Sequence, residues 1–236
     1  MLVLEICRLV ETCRRNVGIK LVIIDHISSP SALVFPVKDI VQQLHDLGVA
    51  VLVDGAHAPG QLNLDLEDIG ADFYTGNLHK WCYAPKGCAF LAVSDKFRSS
   101  LQPLVTSHCY KQDLQDQFFM QGTMDHTPYL MAKKALQFYH ENGGREALVR
   151  YTTPLLDWAQ QMLCHSLNTT VLPVPHSMVA PFMRVLRSVT FLSLVVYAYI
   201  NFQNPNPTPD SPINPSPVSP KSFKYKVLDL TDLGLG

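Results

Sequence analysis

At 236 residues, the chain is long enough for one large domain, or for one domain and part of another. Its composition is 47% hydrophobic and 17% charged with a formal net charge of -1, so no basic excess predicts binding to nucleic acid or to an anionic membrane. The six cysteines lack the CxxC spacing of zinc sites, which predicts free thiols in a reducing compartment and no metal site.

Two apolar stretches bear on targeting and on membranes. Residues 1–5 lack the basic start of a signal peptide, so the sequence predicts a cytoplasmic protein. The run 189–200 is too short for a membrane-spanning helix, which needs roughly twenty residues. We interpret this run as a strand or as a misplaced apolar segment, and we predict no membrane partner.

The first half of the chain has the pattern of an α/β fold with a mostly parallel sheet. Residues 2–15 place apolar side chains at helical spacing, and residues 20–25 form a continuous apolar run that predicts a strand buried on both faces. A helix is predicted over residues 37–47, and a second buried strand over residues 49–53. The order strand, helix, strand predicts a parallel βαβ unit.

Residues 72–91 predict a strand, a tight loop and a second strand. The first strand breaks at Gly76 and Asn77, and Lys80 follows in the loop beside His79. Partial burial in such a loop lowers the pKa of a lysine and makes its amine a usable nucleophile. A solvated surface lysine is the alternative interpretation of Lys80.

Three polar clusters follow the predicted strands of this sheet, and they comprise residues 25–29, 54–57 and 77–80. Ligands of open parallel sheets bind beyond the carboxyl ends of the strands. We therefore predict that the three clusters converge at one edge of the sheet. Taken alone, Asp54 and Gly55 are equally consistent with a plain turn after a strand.

The pattern is weaker in the second half of the chain. It predicts a short helix at 94–101, a helix at 128–142, a helix at 145–166 that Pro154 kinks or divides, and strands at 169–172 and 183–186. Residues 201–220 are so rich in proline that we predict a disordered tail. The predicted domains are a partial large domain (1–145), a linking helix with the start of a small domain (146–187), and a divergent tail (188–236).

The polar clusters contain the groups that a cofactor with an aldehyde, a pyridine ring and a phosphate needs. Lys80 supplies an amine that can form an imine, and Asp54 supplies a carboxylate that can keep the ring nitrogen protonated. His57 can form a hydrogen bond with the phenolic oxygen of the ring. Asn77 and His79 flank the lysine and can donate to phosphate oxygens.

Four motifs carry a resemblance to a known family. VDGAHAPGQ (53–61), GADFYTGNLHKW (70–81) and APKGCAFL (84–91) resemble, at matching spacing, the class V aminotransferases of the fold-type I pyridoxal-phosphate enzymes. DHISSPSALVFPV (25–37) is most similar to the isopenicillin N epimerase-like branch, which includes cysteine desulfhydrase-like proteins. The resemblance implies the large domain of this fold, with a mostly parallel sheet and flanking helices, and a fragment of the small α+β domain.

The resemblance also implies a cofactor, a substrate and a partner. Pyridoxal 5'-phosphate would be covalently bound to Lys80, the substrate would be a small amino acid, and the protein would be a homodimer. Asp54 would pair with the pyridine nitrogen and His57 would lie beside the ring oxygen, with Asn77 and His79 near the phosphate.

Three further residues receive roles from the same resemblance. QGTMD (121–125) is similar to a segment that reaches the phosphate across a dimer interface, which assigns Thr123 to the site of the partner subunit. His26 and Ser29 would line the substrate side of the pocket.

The sequence also departs from the family. Family members have a long segment before the equivalent of Leu2, including the loop that caps the phosphate and the side chain that stacks on the ring. The resemblance ends near Arg187, before the arginine that binds the substrate carboxylate. We therefore expect weak cofactor binding and little turnover. Two functions stay open: an enzyme with epimerase, transaminase or C–S lyase chemistry at Lys80, or an inactive fragment that dimerises with a full-length subunit.

Overall fold

Helices and strands alternate through most of the chain in the computed structural model, which describes residues 2–119, 121–187 and 194–197. The helices are α1 Leu2–Val17, α2 Val37–Asp46, α3 Leu66–Ile69, α4 Leu78–Trp81, α5 Asp95–Arg98, α6 Leu114–Phe119, α7 Thr127–Leu130, α8 Ala132–Glu141 and α9 Gly144–Ser166. The strands are β1 Leu21–Asp25, β2 Ala50–Gly55, β3 Phe73–Asn77, β4 Ala89–Val93, β5 Thr170–Val171, β6 Met183–Arg187 and β7 Leu194–Tyr197.

The strands form two sheets. In the larger sheet, of order β1-β2-β3-β4, the first three strands are parallel and β4 is antiparallel to β3. The smaller sheet, of order β5-β6-β7, is antiparallel and packs on α9. The predicted α/β fold with a mostly parallel sheet is confirmed, as is the predicted βαβ unit. The domain boundaries at 145 and 187 stay predictions.

The main core lies between the larger sheet and α2. Helix α2 buries residues spaced at i, i+3, i+4 and i+7, namely Val37, Ile40, Val41 and Leu44. They pack against strand residues whose side chains point to the same face, namely Val51, Val53 and Tyr74. Every second residue of a strand faces one side of the sheet, so this core fixes which side chains of β1 to β3 point the other way.

The prediction that β1 is buried on both faces is wrong for the part of the chain that the structure describes. Leu21 is 43% exposed and Ile23 is 67% exposed, while Val22 and Ile24 pack against the main core. The described helices α1 and α2 cover only one face of the sheet. We call the other one the open face.

The segment around Lys80 differs from the predicted tight loop. Strand β3 continues through Gly76 and ends at Asn77, because both residues pair with β4. Lys80 then lies in the single turn of α4 rather than in an extended loop. The backbone around Lys80 is held because the Leu78 and His79 N–H groups donate to the Cys88 carbonyl, and the Cys82 N–H donates to the Leu78 carbonyl.

Other local predictions had mixed outcomes. The helix predicted over 128–142 is interrupted at Met131, and α9 continues through Pro154 without being divided. The strands predicted at 169–172 and 183–186 are present as β5 and β6. Within the apolar run 189–200 the described residues form strand β7, whereas the predicted disordered tail lies outside the described residues. None of the described helices has the length and apolar composition needed to cross a membrane.

Asp72, which directly precedes β3, is hydrogen-bonded to α2, to β2 and to the residue before α5. This residue is only 4% exposed, and one of its carboxylate oxygens, Oδ2, accepts hydrogen bonds from the Val51 backbone N–H and from His45 Nε2, each at 2.8 Å. Its backbone carbonyl accepts from the Ser94 N–H at 2.9 Å. A buried carboxylate with charge-assisted partners is costly to remove, because its donors are then left without an acceptor.

We expect Asp72→Ala to lower the free energy of unfolding by about 2–4 kcal/mol, because Val51 N–H and His45 both lose their acceptor. Urea unfolding measures the change. The control is Asp95→Ala at an exposed position, where the expected change is within about 0.5 kcal/mol. Equal losses of unfolding free energy in the two variants would contradict the role of Asp72 as the buried acceptor for Val51 and His45.

Candidate active site

The carboxyl ends of β1, β2 and β3 bring polar side chains into one row. Asp25 pairs in register with Asp54 across β1 and β2, and Asp54 pairs with Thr75 across β2 and β3. Strand alternation places these three side chains on the open face, opposite Val53 and Tyr74. The structure therefore brings the predicted polar clusters together at one sheet edge.

Lys80 follows this row directly, in helix α4 after β3. Its side chain is exposed overall, yet partial burial lowers the pKa of its amine, while the negative charges of Asp54 and Asp25 oppose that shift. Among the described residues, no ion pair within 4.0 Å involves Lys80, so both carboxylates act on it through space. This arrangement produces an accessible amine of reduced basicity.

Asp54 is fixed by its backbone and by its side chain. Its carbonyl accepts a hydrogen bond from the His26 N–H at 2.8 Å, and its Oδ1 accepts from the Ala56 N–H at 2.9 Å. The second bond is the local contact expected of an aspartate at a turn. It engages one carboxylate oxygen, so the carboxylate keeps acceptor capacity for a ligand.

His57 carries the least satisfied polar atom of the site. The residue is 8% exposed, and its Nδ1 has no hydrogen-bond partner within the described part of the chain. Burial, and then the charge of Lys80, lower the pKa of His57 to about 4, although Asp54 opposes the shift. Buried polar atoms without partners are rare and often mark ligand contacts. A neutral imidazole here fits a contact with a polar oxygen of a bound cofactor.

Asn77 and His79 lie on either side of the start of α4. Asn77 ends β3 on the same face as Thr75, and its side chain makes no capping hydrogen bond. His79 Nδ1 is 2.8 Å from the Cys88 carbonyl oxygen. A carbonyl only accepts, so Nδ1 carries the hydrogen, and Nε2 becomes a donor only when the ring is protonated.

The other predicted residues are more dispersed. His26 shares a 2.8 Å hydrogen bond between its Nδ1 and the Tyr74 hydroxyl, on the face covered by α2, and burial lowers its pKa to about 4. Ser29 is exposed in the turn after β1, and Thr123 is exposed between α6 and α7. The substrate-side roles of His26 and Ser29 and the partner-site role of Thr123 stay predictions.

Two neighbours of the site received no individual role in the sequence-based prediction. Asp25 is the last residue of β1 and pairs in register with Asp54, the next-to-last residue of β2, and its place in the polar cluster 25–29 was the available signal. Tyr74 packs so closely over β2 that a Cβ at Gly55 would lie 2.3 Å from its ring. Glycine is thus required directly after Asp54, and the local sequence pattern gives no sign of this long-range contact.

Gln61 ties the His57 loop to the smaller sheet. It is fully buried, and its Nε2 donates to the His57 carbonyl at 2.9 Å while its Oε1 accepts from the Phe182 N–H at 3.0 Å. Its own carbonyl accepts from Arg145 Nε at 3.0 Å. The loop that carries His57 is therefore held by α9 and by the residue before β6.

The fold is that of the fold-type I pyridoxal-phosphate enzymes. A cysteine desulfurase structure from Thermococcus onnurineus NA1 superposes with a TM-score of 0.61 at 17% identity, over 73% of this chain and 45% of that chain. The family model for the class V aminotransferases matches residues 6–185, so this chain belongs to the class V aminotransferase family. Members of this family use pyridoxal phosphate.

Two relatives belong to the branch that the sequence motifs indicated, which contains isopenicillin N epimerase-like and cysteine desulfhydrase-like proteins. An L-cysteine desulfhydrase of Arabidopsis thaliana is 34% identical over 134 residues, covering 56% of this chain and 30% of that protein. An isopenicillin N epimerase of Streptomyces clavuligerus is 31% identical over 169 residues, covering 65% of this chain and 42% of that protein. The chain thus spans less than half the length of these relatives, and the predicted resemblance is confirmed.

The two buried histidines predict a loss of stability in acid. Both pKa values fall from 6.5 to about 4 on folding, so below pH 6.5 the unfolded chain binds protons that the folded chain rejects. Their neutral forms favour folding above pH 6.5, and that stability declines as the pH falls toward 4.

When the pH falls from 7 to 5, we expect the unfolding free energy of the unmodified chain to decrease by about 1–2 kcal/mol more than that of His57→Gln. Urea unfolding at both pH values measures the difference. His165→Gln, at an exposed position, is the control and should follow the unmodified chain. Parallel pH profiles for all three proteins would contradict the burial of a neutral His57.

Proposed function

We propose that this chain binds pyridoxal 5'-phosphate covalently through Lys80 and acts on a small amino acid. The observation that carries the proposal is the meeting of three groups at the strand ends: the Lys80 amine, the Asp54 carboxylate and the unpartnered Nδ1 of His57. Their donor and acceptor chemistry fits the aldehyde, ring nitrogen and ring oxygen of this cofactor.

When bound, pyridoxal phosphate supplies an electrophilic aldehyde and a ring that withdraws electrons from the α-carbon of an amino acid. Lys80 Nζ is the group that would hold the aldehyde carbon. As a free amine, the same nitrogen would take and hold the α-proton of the amino acid. Its partial burial favours both roles, because a lysine of lowered pKa is more often unprotonated near neutral pH.

Asp54 would accept a hydrogen bond from the protonated ring nitrogen through the acceptor capacity that Ala56 leaves unused. His57 would bond to the ring oxygen. Asn77 would donate to the phosphate through its amide, whereas His79 donates through Nε2 only as an imidazolium, since Cys88 engages its Nδ1.

Epimerisation, transamination and C–S bond cleavage all begin with loss of the α-proton, for which Lys80 is the base. The relatives named L-cysteine desulfhydrase and isopenicillin N epimerase support the first and last of these reactions. In a homodimer, Thr123 would reach the partner's phosphate site from its exposed segment.

The second candidate is a catalytically inactive chain that acts by dimerising with a full-length subunit. The exposed apolar side chains on the open face favour it: Leu21, Ile23 and Leu91 are 43%, 67% and 42% exposed. Size-exclusion chromatography with light scattering, on the chain alone and mixed with a full-length class V subunit, tests this candidate. A species with the mass of a mixed dimer is the expected result, and separate elution of the two proteins would contradict it.

The covalent role of Lys80 can be tested by trapping. The chain is incubated with saturating pyridoxal phosphate and reduced with borohydride, and peptide mass spectrometry then locates the added mass. We expect the label on Lys80, and its loss in Lys80→Ala. The control is Lys86→Ala, since this exposed lysine is a close neighbour in sequence. An unlabelled Lys80 in the unmodified chain would contradict the proposal.

The charge of Asp54 can be tested without disturbing its turn. Asn at this position keeps an oxygen for the Ala56 N–H but cannot hold the ring nitrogen protonated. We expect Asp54→Asn to weaken pyridoxal phosphate binding about tenfold and to slow deuterium exchange at the α-carbon of an amino acid. Asp39→Asn, at an exposed position, is the control. Unchanged binding and exchange would leave Asp54 only a structural role.

A further inference from the structure

Phe182, the residue before β6, is hydrogen-bonded through Gln61 to the loop that carries His57. Its backbone N–H donates to Gln61 Oε1 at 3.0 Å, and Gln61 Nε2 donates to the His57 carbonyl at 2.9 Å. These partners fix the orientation of the Gln61 amide, because an N–H can only donate and a carbonyl can only accept. Gln61 is fully buried, so removing its amide leaves both partners without this hydrogen bond.

Phe182 also reaches the site through its ring. The ring packs edge-on against Trp81 with 5.6 Å between the ring centroids, and the Trp81 centroid lies 6.1 Å from that of His57. Trp81 directly follows Lys80 and is the last residue of α4. The residue before β6 therefore contacts the helix that carries Lys80 directly, and the loop that carries His57 through Gln61.

The His57 loop and α4 also meet directly, at Gly60. Gly60 has a φ of +83°, and a Cβ there would lie 2.9 Å from the Trp81 carbonyl oxygen and 3.1 Å from Cys82 Sγ. Packing this close leaves no space for the loop to move against the helix without displacing it. The separation of His57 from the Lys80 helix therefore depends on what holds the loop in place.

We propose that Gln61 and Phe182 are positioning residues through which the smaller sheet holds the His57 ring in place beside the Lys80 helix. Gln61 acts on the loop backbone, and Phe182 acts through Gln61 and through Trp81. The catalytic meaning of this placement rests on the proposed function, in which His57 and Lys80 bind two atoms of one cofactor. Groups that bind one rigid ring must keep their separation, and the two positioning residues supply that constraint.

The neutral state of the His57 ring is a measurable consequence of its placement. Burial, and then the charge of Lys80, lower the pKa of His57 to about 4, against the opposing charge of Asp54. Loss of the Gln61 amide would loosen the loop, admit water to the ring and raise this pKa toward its usual value. A residue that only adds stability would lower the unfolding free energy and leave the His57 titration of the folded chain unchanged.

The test follows the ring signals of His57 by NMR in the full chain without cofactor. We expect the protonated fraction of His57 at pH 5 to rise about fivefold in Gln61→Leu, which corresponds to a pKa higher by about one pH unit. Gln160→Leu is the matched control. Gln160 Nε2 also donates to a carbonyl of the smaller sheet, that of Val185 at 3.3 Å, but it does not bond to the His57 loop. This control should leave the His57 titration unchanged.

His26 is an internal control in the same spectra. It is buried on the face covered by α2 and has its own hydrogen bond to Tyr74, so its titration should be the same in every variant. An equal rise in the protonated fraction of His26 would indicate general loosening of the fold and would overturn the inference.

A second variant keeps the inference falsifiable if Gln61→Leu does not fold. Phe182→Leu keeps the N–H that donates to Gln61 and removes the ring that packs on Trp81, and this apolar exchange is expected to fold. We expect a rise of about twofold in the protonated fraction of His57 at pH 5. An unchanged fraction in either folded variant would overturn the inference.

These measurements do not depend on cofactor binding. If borohydride traps no cofactor on the chain but the His57 titration moves as expected, the proposed function fails and the positioning of His57 stands. If the cofactor is trapped on Lys80 and the His57 titration does not move, the proposed function stands and Gln61 and Phe182 have only a structural role.

Discussion

The parallel register of β1, β2 and β3 is the constraint on which the rest of the structure depends. It ends three strands at one edge, and the period of two along each strand sends Asp25, Asp54 and Thr75 to the same face. The opposite face is filled by the α2 core and by Tyr74. A shift of one residue in any strand would exchange the two faces, burying the carboxylates and exposing the core.

Charge balance follows from this placement. Two carboxylates on adjacent strands repel each other, and Lys80 at the start of the next helix offsets that repulsion while remaining partly shielded from water. His57 completes the group as a neutral ring, because burial outweighs the attraction of Asp54 for its proton. The smaller sheet contributes to the same site through Gln61, which links the His57 carbonyl to Phe182.

Much of this arrangement could be predicted from the sequence, since apolar runs of strand length that end in polar residues predict a parallel sheet and its ligand edge. What failed depends on contacts distant in sequence. The exposure of Ile23 reflects which helices cover the sheet, and the continuation of β3 to Asn77 depends on pairing with β4. The sequence placed Asp25 in a cluster at this edge, but its pairing with Asp54 required the strand register, and the orientation of His26 required its contact with Tyr74.

The central claim is that Lys80 is the amine that binds the cofactor, in a site completed by Asp54 and His57. The most direct measurement is a titration of the full chain with pyridoxal phosphate, followed by the visible absorption of the lysine-bound cofactor. The account predicts a saturable band that reaches one equivalent per chain and is absent in Lys80→Ala. No band at saturating cofactor, or an undiminished band in Lys80→Ala, would contradict it.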